Sequence, residues 1–169
     1  METQKVTTSK ILLLLLWSTV TFSGCRAQSS DKLNLSKLIF HSSRCNGLCP
    51  KFDIEIDSAK NIFVNREYFK TKSEIDKKVS GQFKGVLTDD DFKRLLELLK
   101  DVNLATLKFP QSSLMDGVDI TVIVYYNGQR KYLKSAEPPS IAKDLIAFLT
   151  SLGDNKRLQR TTQAQDIEN

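Results

Sequence analysis

Three cysteines and one histidine carry the most distinctive chemistry of this 169-residue chain. Cys45 and Cys49 stand with three residues between them in Cys45-Asn46-Gly47-Leu48-Cys49-Pro50, and His41, the single histidine, lies four positions before the first. Two thiols so spaced have two uses. In an oxidising compartment they close a small ring, which stabilises a fold by only about 2 kcal/mol in the chain-entropy treatment. Such a ring fixes local shape more than the global fold, and Gly47 is expected to supply a positive backbone dihedral in it. As thiolates they are soft ligands, and His41 would add an imidazole, a donor set that suits copper and leaves a structural zinc site short of a fourth ligand. At this point both readings stand: a Cys45–Cys49 disulfide, or a copper- or thiol-handling site of His41, Cys45 and Cys49.

The third cysteine has a different setting. Lys5 and Lys10 precede an apolar run from Ile11 through Phe22, which ends in Ser23-Gly24-Cys25. That pattern reads as a signal peptide, and the run is shorter than the about 20 apolar residues a finished membrane helix requires. Small residues directly before a cysteine resemble a bacterial lipobox, which implies cleavage after residue 24, a lipid on Cys25, and an anchor in the membrane of a cell envelope. The competing expectation is an ordinary secretory cut, for example after Ala27. Residues 25–36 then serve as lipidated cysteine and polar tether.

Little else points to catalysis, and the chain is expected not to be an enzyme. No glycine pattern of a nucleophile elbow surrounds a serine, and any triad would have to recruit His41. Asp89, Asp90 and Asp91 sit behind Thr88, where helix capping accounts for them. Asp116 and Asp119 flank the exit of a polar loop, but the ladder of oxygen ligands that calcium needs is missing, so turn formation accounts for these two. The formal charge is +5, with acidic residues interleaved among the basic ones. That mixture, without interleaved aromatics, excludes a nucleic-acid surface. The densest basic patch, Lys70, Lys72, Lys77 and Lys78, is blunted by Glu74 and Asp76. The expected partners are therefore a membrane, through the lipid, and an envelope protein.

The elements that must position the cysteines follow from periodicity. Leu38-Ile39-Phe40 is a short apolar run that enters the loop. Pro50 biases Cys49 towards extended geometry, and Phe52, Ile54 and Ile56 alternate with charged residues through Asp57, the period of a half-buried strand. Asp57 to Asn61 supplies a turn into Ile62–Glu67. Residues 68–78 read as a connection, and 79–86 as a further strand interrupted by glycine. Phe92, Leu95, Leu96, Leu99 and Val102 predict an amphipathic helix. A strand over 119–126, Asn127-Gly128 and residues 131–135 predict a hairpin. After Pro138-Pro139, Ser140 is expected to cap a helix with Ile141, Leu145, Phe148, Leu149 and Leu152 on one face, ended by Gly153. The result is one α+β domain over 37–153: an antiparallel sheet built from two or more hairpins, with two amphipathic helices packed on one face. Residues 154–169 are polar and aperiodic, and read as a disordered tail.

Two family resemblances attach to the loop. Cys-x-Gly-x-Cys-Pro-x-aromatic over Cys45 to Phe52, followed by an alternating strand, resembles an uncharacterised bacterial domain-of-unknown-function family (family 6438) found largely in exported proteins and lipoproteins. The likeness extends over residues 36–152 and implies no catalysis. Cys-x-x-x-Cys-Pro is also similar to the copper-binding motif of the synthesis-of-cytochrome-oxidase thioredoxin-like proteins. Those proteins place the motif at the start of a helix, whereas here a strand follows it.

Overall fold

The computed structural model describes residues 33–112 and 117–168, all within the unit spanning residues 32–169. Cys25, the leader over residues 1–24 and Asp116 lie outside the described residues.

Seven strands form one antiparallel sheet: β1 Leu35–Ser42, β2 Lys51–Asp57, β3 Asn61–Glu67, β4 Gly81–Val86, β5 Ile120–Tyr126, β6 Gln129–Ser135 and β7 Gln159–Arg160. Their spatial order is β6-β5-β1-β2-β3-β4-β7. Among the described residues two α-helices accompany the sheet, α1 Asp89–Asp101 and α2 Lys143–Gly153. The first strand is longer than the expected Leu38–Phe40 and takes in Leu35 and Ser36 from the predicted tether. It lies inside the sheet, paired with β2 on one side and β5 on the other. The cysteine loop therefore tops the hairpin between two interior strands.

Turn chemistry accounts for the hairpins. Lys60 adopts φ 69° after Asp57, whose carboxylate accepts the N–H groups of Ala59 and Asn61 at 2.8 and 2.9 Å. Asn127 and Gly128 both take positive φ, 49° and 75°, the backbone that a two-residue connection of right-twisted strands requires. Helix α1 begins where Thr88 Oγ1 accepts the Asp91 N–H at 3.1 Å, as the capping argument expects.

Strand alternation sends Leu38 and Phe40, Phe52, Ile54 and Ile56, Ile62 and Val64, and Val122 and Val124 to one face. They share a hydrophobic cluster with Leu95 and Leu99 of α1 and Leu145, Leu149 and Leu152 of α2. The contact is close: a Cβ on Gly153 would lie 2.6 Å from Phe52 Cδ1. Arg66, buried on this face, donates from Nε to the Val79 carbonyl at 3.0 Å and from a terminal nitrogen to the Gly153 carbonyl at 2.9 Å.

Two local expectations are corrected. Ser140 does not cap α2: residues Ser140–Ala142 form a 3-10 turn, and neither that turn nor the helix has a side-chain N-cap. The tighter turn puts Ile141 out of phase with the α-helical stripe, and Ile141 is 57 % exposed.

The larger difference lies at the C-terminal end. Residues 159–168, expected to be disordered, pair β7 with β4 and then cross the second face of the sheet. There Ile39, Phe63 and Ile123 form a second cluster with Ile167, which is only 8 % exposed. The physical reason is that these three side chains project from the face opposite the helices and need cover of their own.

Candidate functional site

Cys45 and Cys49 are joined by a disulfide, with their Cα atoms 5.5 Å apart. The Cys49 N–H approaches Cys45 Sγ at 3.3 Å. Gly47 does not take a positive φ, contrary to expectation; its role is space, because a Cβ there would stand 3.3 Å from Cys45 Sγ. The β3–β4 connection lies alongside the loop. The Arg44 guanidinium sits 4.3 Å from the Phe69 ring centroid, and Lys72 Nζ reaches Asn46 Oδ1 at 3.4 Å. Leu48, 56 % exposed, is the apolar side chain this tip presents.

His41 does not join the cysteines. Its Nδ1 lies 2.9 Å from Asp53 Oδ1, directly across the β1–β2 register, and its Nε2 lies 2.7 Å from the Glu168 carbonyl. The copper set is corrected on its donors: both sulfurs are spent in a covalent bond, and both imidazole nitrogens face other partners. Among the described residues no group of three or more histidine, cysteine or acidic side chains is placed to hold a metal. The Asp119 carboxylate pairs with Lys134 at 3.5 Å, and its N–H donates to Ser43 Oγ at 2.8 Å.

The second face of the sheet is the more organised candidate. The strand pairings lay its side chains out in rows. Tyr132, Ile123, Ile39, Glu55, Phe63 and Lys84 form a middle row, apolar at its centre. To one side lie Lys134, Thr121, His41, Asp53 and Asn65; to the other lie Arg130, Tyr125, Lys37 and Asp57. The C-terminal segment crosses these rows and separates two clefts of about 440 Å³ each. One is lined by His41, Lys51, Asp53, Thr121 and Lys134, the other by Glu55, Phe63, Lys84 and Val86.

Glu168 closes the segment onto the sheet. Its carboxylate accepts from the Tyr125 hydroxyl at 2.9 and 2.7 Å, and from Arg130 Nε and a terminal nitrogen at 3.0 and 2.9 Å, while Lys37 Nζ stands 3.7 Å away. Hydrogen bonds from Tyr125 and Arg130 hold the Glu168 carboxyl below the ordinary glutamate range. At His41, burial alone lowers the pKa, but the bonds to Asp53 and to the Glu168 carbonyl together outweigh it and raise the ring above the ordinary value. Asp53 is the reciprocal case: burial raises it, while bonds from His41 and Lys51 lower it overall. On the helix side, burial and a hydrogen bond to Asp154 push the Tyr68 hydroxyl up to about 12.

The domain of unknown function DUF6438 matches residues 36–154. The chain belongs to this family. No curated protein matches the chain. The DUF6438 match spans the cysteine loop, β1 through β6 and both helices; β7 and the segment that crosses the second face follow it.

Sequence reasoning places the cysteine pair correctly and misses Asp53, Tyr125, Arg130 and Glu168. One signal points to them. Leu38-Ile39-Phe40, Ile62-Phe63-Val64 and Val122-Ile123-Val124 are continuous apolar runs, unlike the strict alternation of β2. A strand apolar on both sides is a strand covered on both sides.

Proposed function

We propose that this DUF6438 protein is a non-enzymatic, lipid-anchored binding module of a bacterial cell envelope. Cys25 carries the lipid, residues 26–34 space the domain from the membrane, and the domain works in an extracytoplasmic compartment on an envelope protein partner. The disulfide-clamped hairpin tip, with Leu48 exposed beside the Arg44–Phe69 contact, is its rigid presenting surface.

The Cys45–Cys49 bond carries this reading, because a disulfide persists in oxidising compartments and is rare in reducing ones. The leader and the Ser23-Gly24-Cys25 ending agree with it. The absence of enzymatic activity is supported by the polar cleft itself, where His41, the only histidine, directs both ring nitrogens to protein oxygens. Two measurements test the proposal. Protein purified from the expressing bacterium without reductant should resist alkylation at Cys45 and Cys49 and become alkylated after reduction; free thiols would count against the export reading. Labelled palmitate should enter the wild type and be lost in Cys25→Ala, and an unlabelled wild type removes the anchor.

A further inference from the structure

The second face of the sheet holds a row that is apolar at Ile123, Ile39 and Phe63 and interrupted by Glu55, with cations and the carboxylates of Asp53 and Asp57 in the rows beside it, and the residues of the chain's own 159–168 segment lie across it. Ile167 supplies the aliphatic contact to Ile39, Phe63 and Ile123. Glu168 supplies a carboxylate to Tyr125, Arg130 and Lys37, and a carbonyl to His41. Residues 162–166, which lead to them, are exposed. The segment is anchored at β7 and at Ile167-Glu168, and from the exposed stretch between them Gln165 Nε2 donates to Glu55 Oε1 at 2.6 Å, with a cleft on either side.

We propose that this face is a binding surface for an extended peptide that presents an aliphatic residue followed by a carboxylate, and that Ile167 and Glu168 occupy it in cis until such a peptide displaces them. Each part of the occupant has a built counterpart. The carboxylate meets a guanidinium through two nitrogens and a phenol hydroxyl, a charge-assisted arrangement that recognises planar anions. The aliphatic side chain meets a row that water would otherwise cover. The backbone carbonyl of the carboxylate-bearing residue meets the His41 ring. The proposal commits to a protein partner with an acidic, extended segment, whose charge complements Lys37 and Arg130. It does not depend on the lipid or on the hairpin tip.

A tethered occupant competes at an effective concentration in the millimolar range, so a free peptide of the same chemistry is masked in the wild type. Releasing the cis segment should unmask it. The probe is a synthetic peptide with the sequence of residues 161–169, TTQAQDIEN, added to the full chain while the ring signals of His41, the single histidine, are followed by nuclear magnetic resonance. In Ile167→Asp, and independently in Glu168→Lys, the peptide should bind saturably and about tenfold more tightly than to wild type. A peptide with aspartate and lysine at the two anchor positions should not bind, and Arg130→Glu in either released background should abolish binding. Folded released variants, checked by circular dichroism, that leave the His41 signals unmoved up to about 1 mM peptide would overturn the proposal. A wild type that runs as a dimer while both released variants run as monomers would overturn it differently, by making the occupant a second copy of this chain.

Discussion

His41 and Asp53 face each other across β1 and β2, and the ring's second nitrogen ends on the Glu168 carbonyl. Both partners are acceptors, so the doubly protonated imidazolium satisfies both, whereas the neutral ring donates to only one. The charged groups around it are Asp53 and Lys51 on β2 and Glu168 on the crossing segment; β5 presents Thr121. The folded-state pKa of His41 is raised, so its contribution to stability is complete below about 6.5, the unfolded value, and is lost as pH rises through the folded value. Asp53 has a lowered folded pKa, so its contribution is complete above the ordinary aspartate value and is lost as pH falls through the folded one. The unfolding free energy should therefore carry a His41 contribution that is greatest in mildly acidic solution and declines as pH rises through the folded value of His41. His41→Ala should remove that pH dependence and cost about 1–3 kcal/mol. Urea unfolding with the same pH dependence in wild type and His41→Ala would contradict the geometry as an imidazolium clamp.

The disulfide lies at a hairpin tip, away from the main hydrophobic cluster. Reduction, or Cys45→Ser with Cys49→Ser, should lower stability by about 2 kcal/mol and leave the domain folded. Urea unfolding with an unchanged slope checks this. Collapse of the fold on reduction would mean that the ring supports the core and not the loop.

The sheet hairpins, both helices and the two-cysteine loop are legible in the sequence because each rests on local rules: alternation in β2, Asn127-Gly128 in the second hairpin, Thr88 before three aspartates. The crossing segment is not legible in this way. Ile167 is a single apolar residue in a polar stretch and carries no period, so its burial depends on distant partners. The information sits instead in Ile39, Phe63 and Ile123, each of which breaks its strand's alternation towards the same face. Likewise the proximity of His41 to Cys45 in sequence suggested a shared site, but strand geometry turns the His41 side chain to the second face and pairs it with Asp53.

Gly153 ends α2 against β2, where an added Cβ would stand 2.6 Å from Phe52 Cδ1 and 3.0 Å from Ile54 Cδ1. Both are fully buried core side chains with little room to retreat. Gly153→Ala should therefore destabilise the domain by about 1–3 kcal/mol, although alanine is the better helix former. Gly128→Ala offers the comparison: nothing lies within 4 Å, and its penalty comes from φ 75° alone. Equal thermal midpoints for Gly153→Ala and wild type would show that α2 shifts freely away from the sheet.

Arg66 is a cation on the core face of β3, only 9 % exposed, and the surroundings of its guanidinium explain its tolerance there. It donates to the Val79 and Gly153 carbonyls, and the second lies at the C-terminal end of α2, where the helix dipole is negative. The Phe83 ring centroid lies 4.0 Å from the guanidinium carbon, which adds a cation–π contact. Arg66→Met keeps the apolar stem but strands the buried Gly153 carbonyl and removes the partner of the part-buried Val79 carbonyl, and should cost about 2–4 kcal/mol. Arg66→Lys should recover little of this, because one ammonium on a flexible stem does not reproduce a planar fork that spans two carbonyls. The two variants separate charge from geometry: near-complete rescue by lysine in urea unfolding would make the charge decisive, whereas a loss close to that of methionine assigns the effect to the paired hydrogen bonds that join β3, the β3–β4 connection and the end of α2.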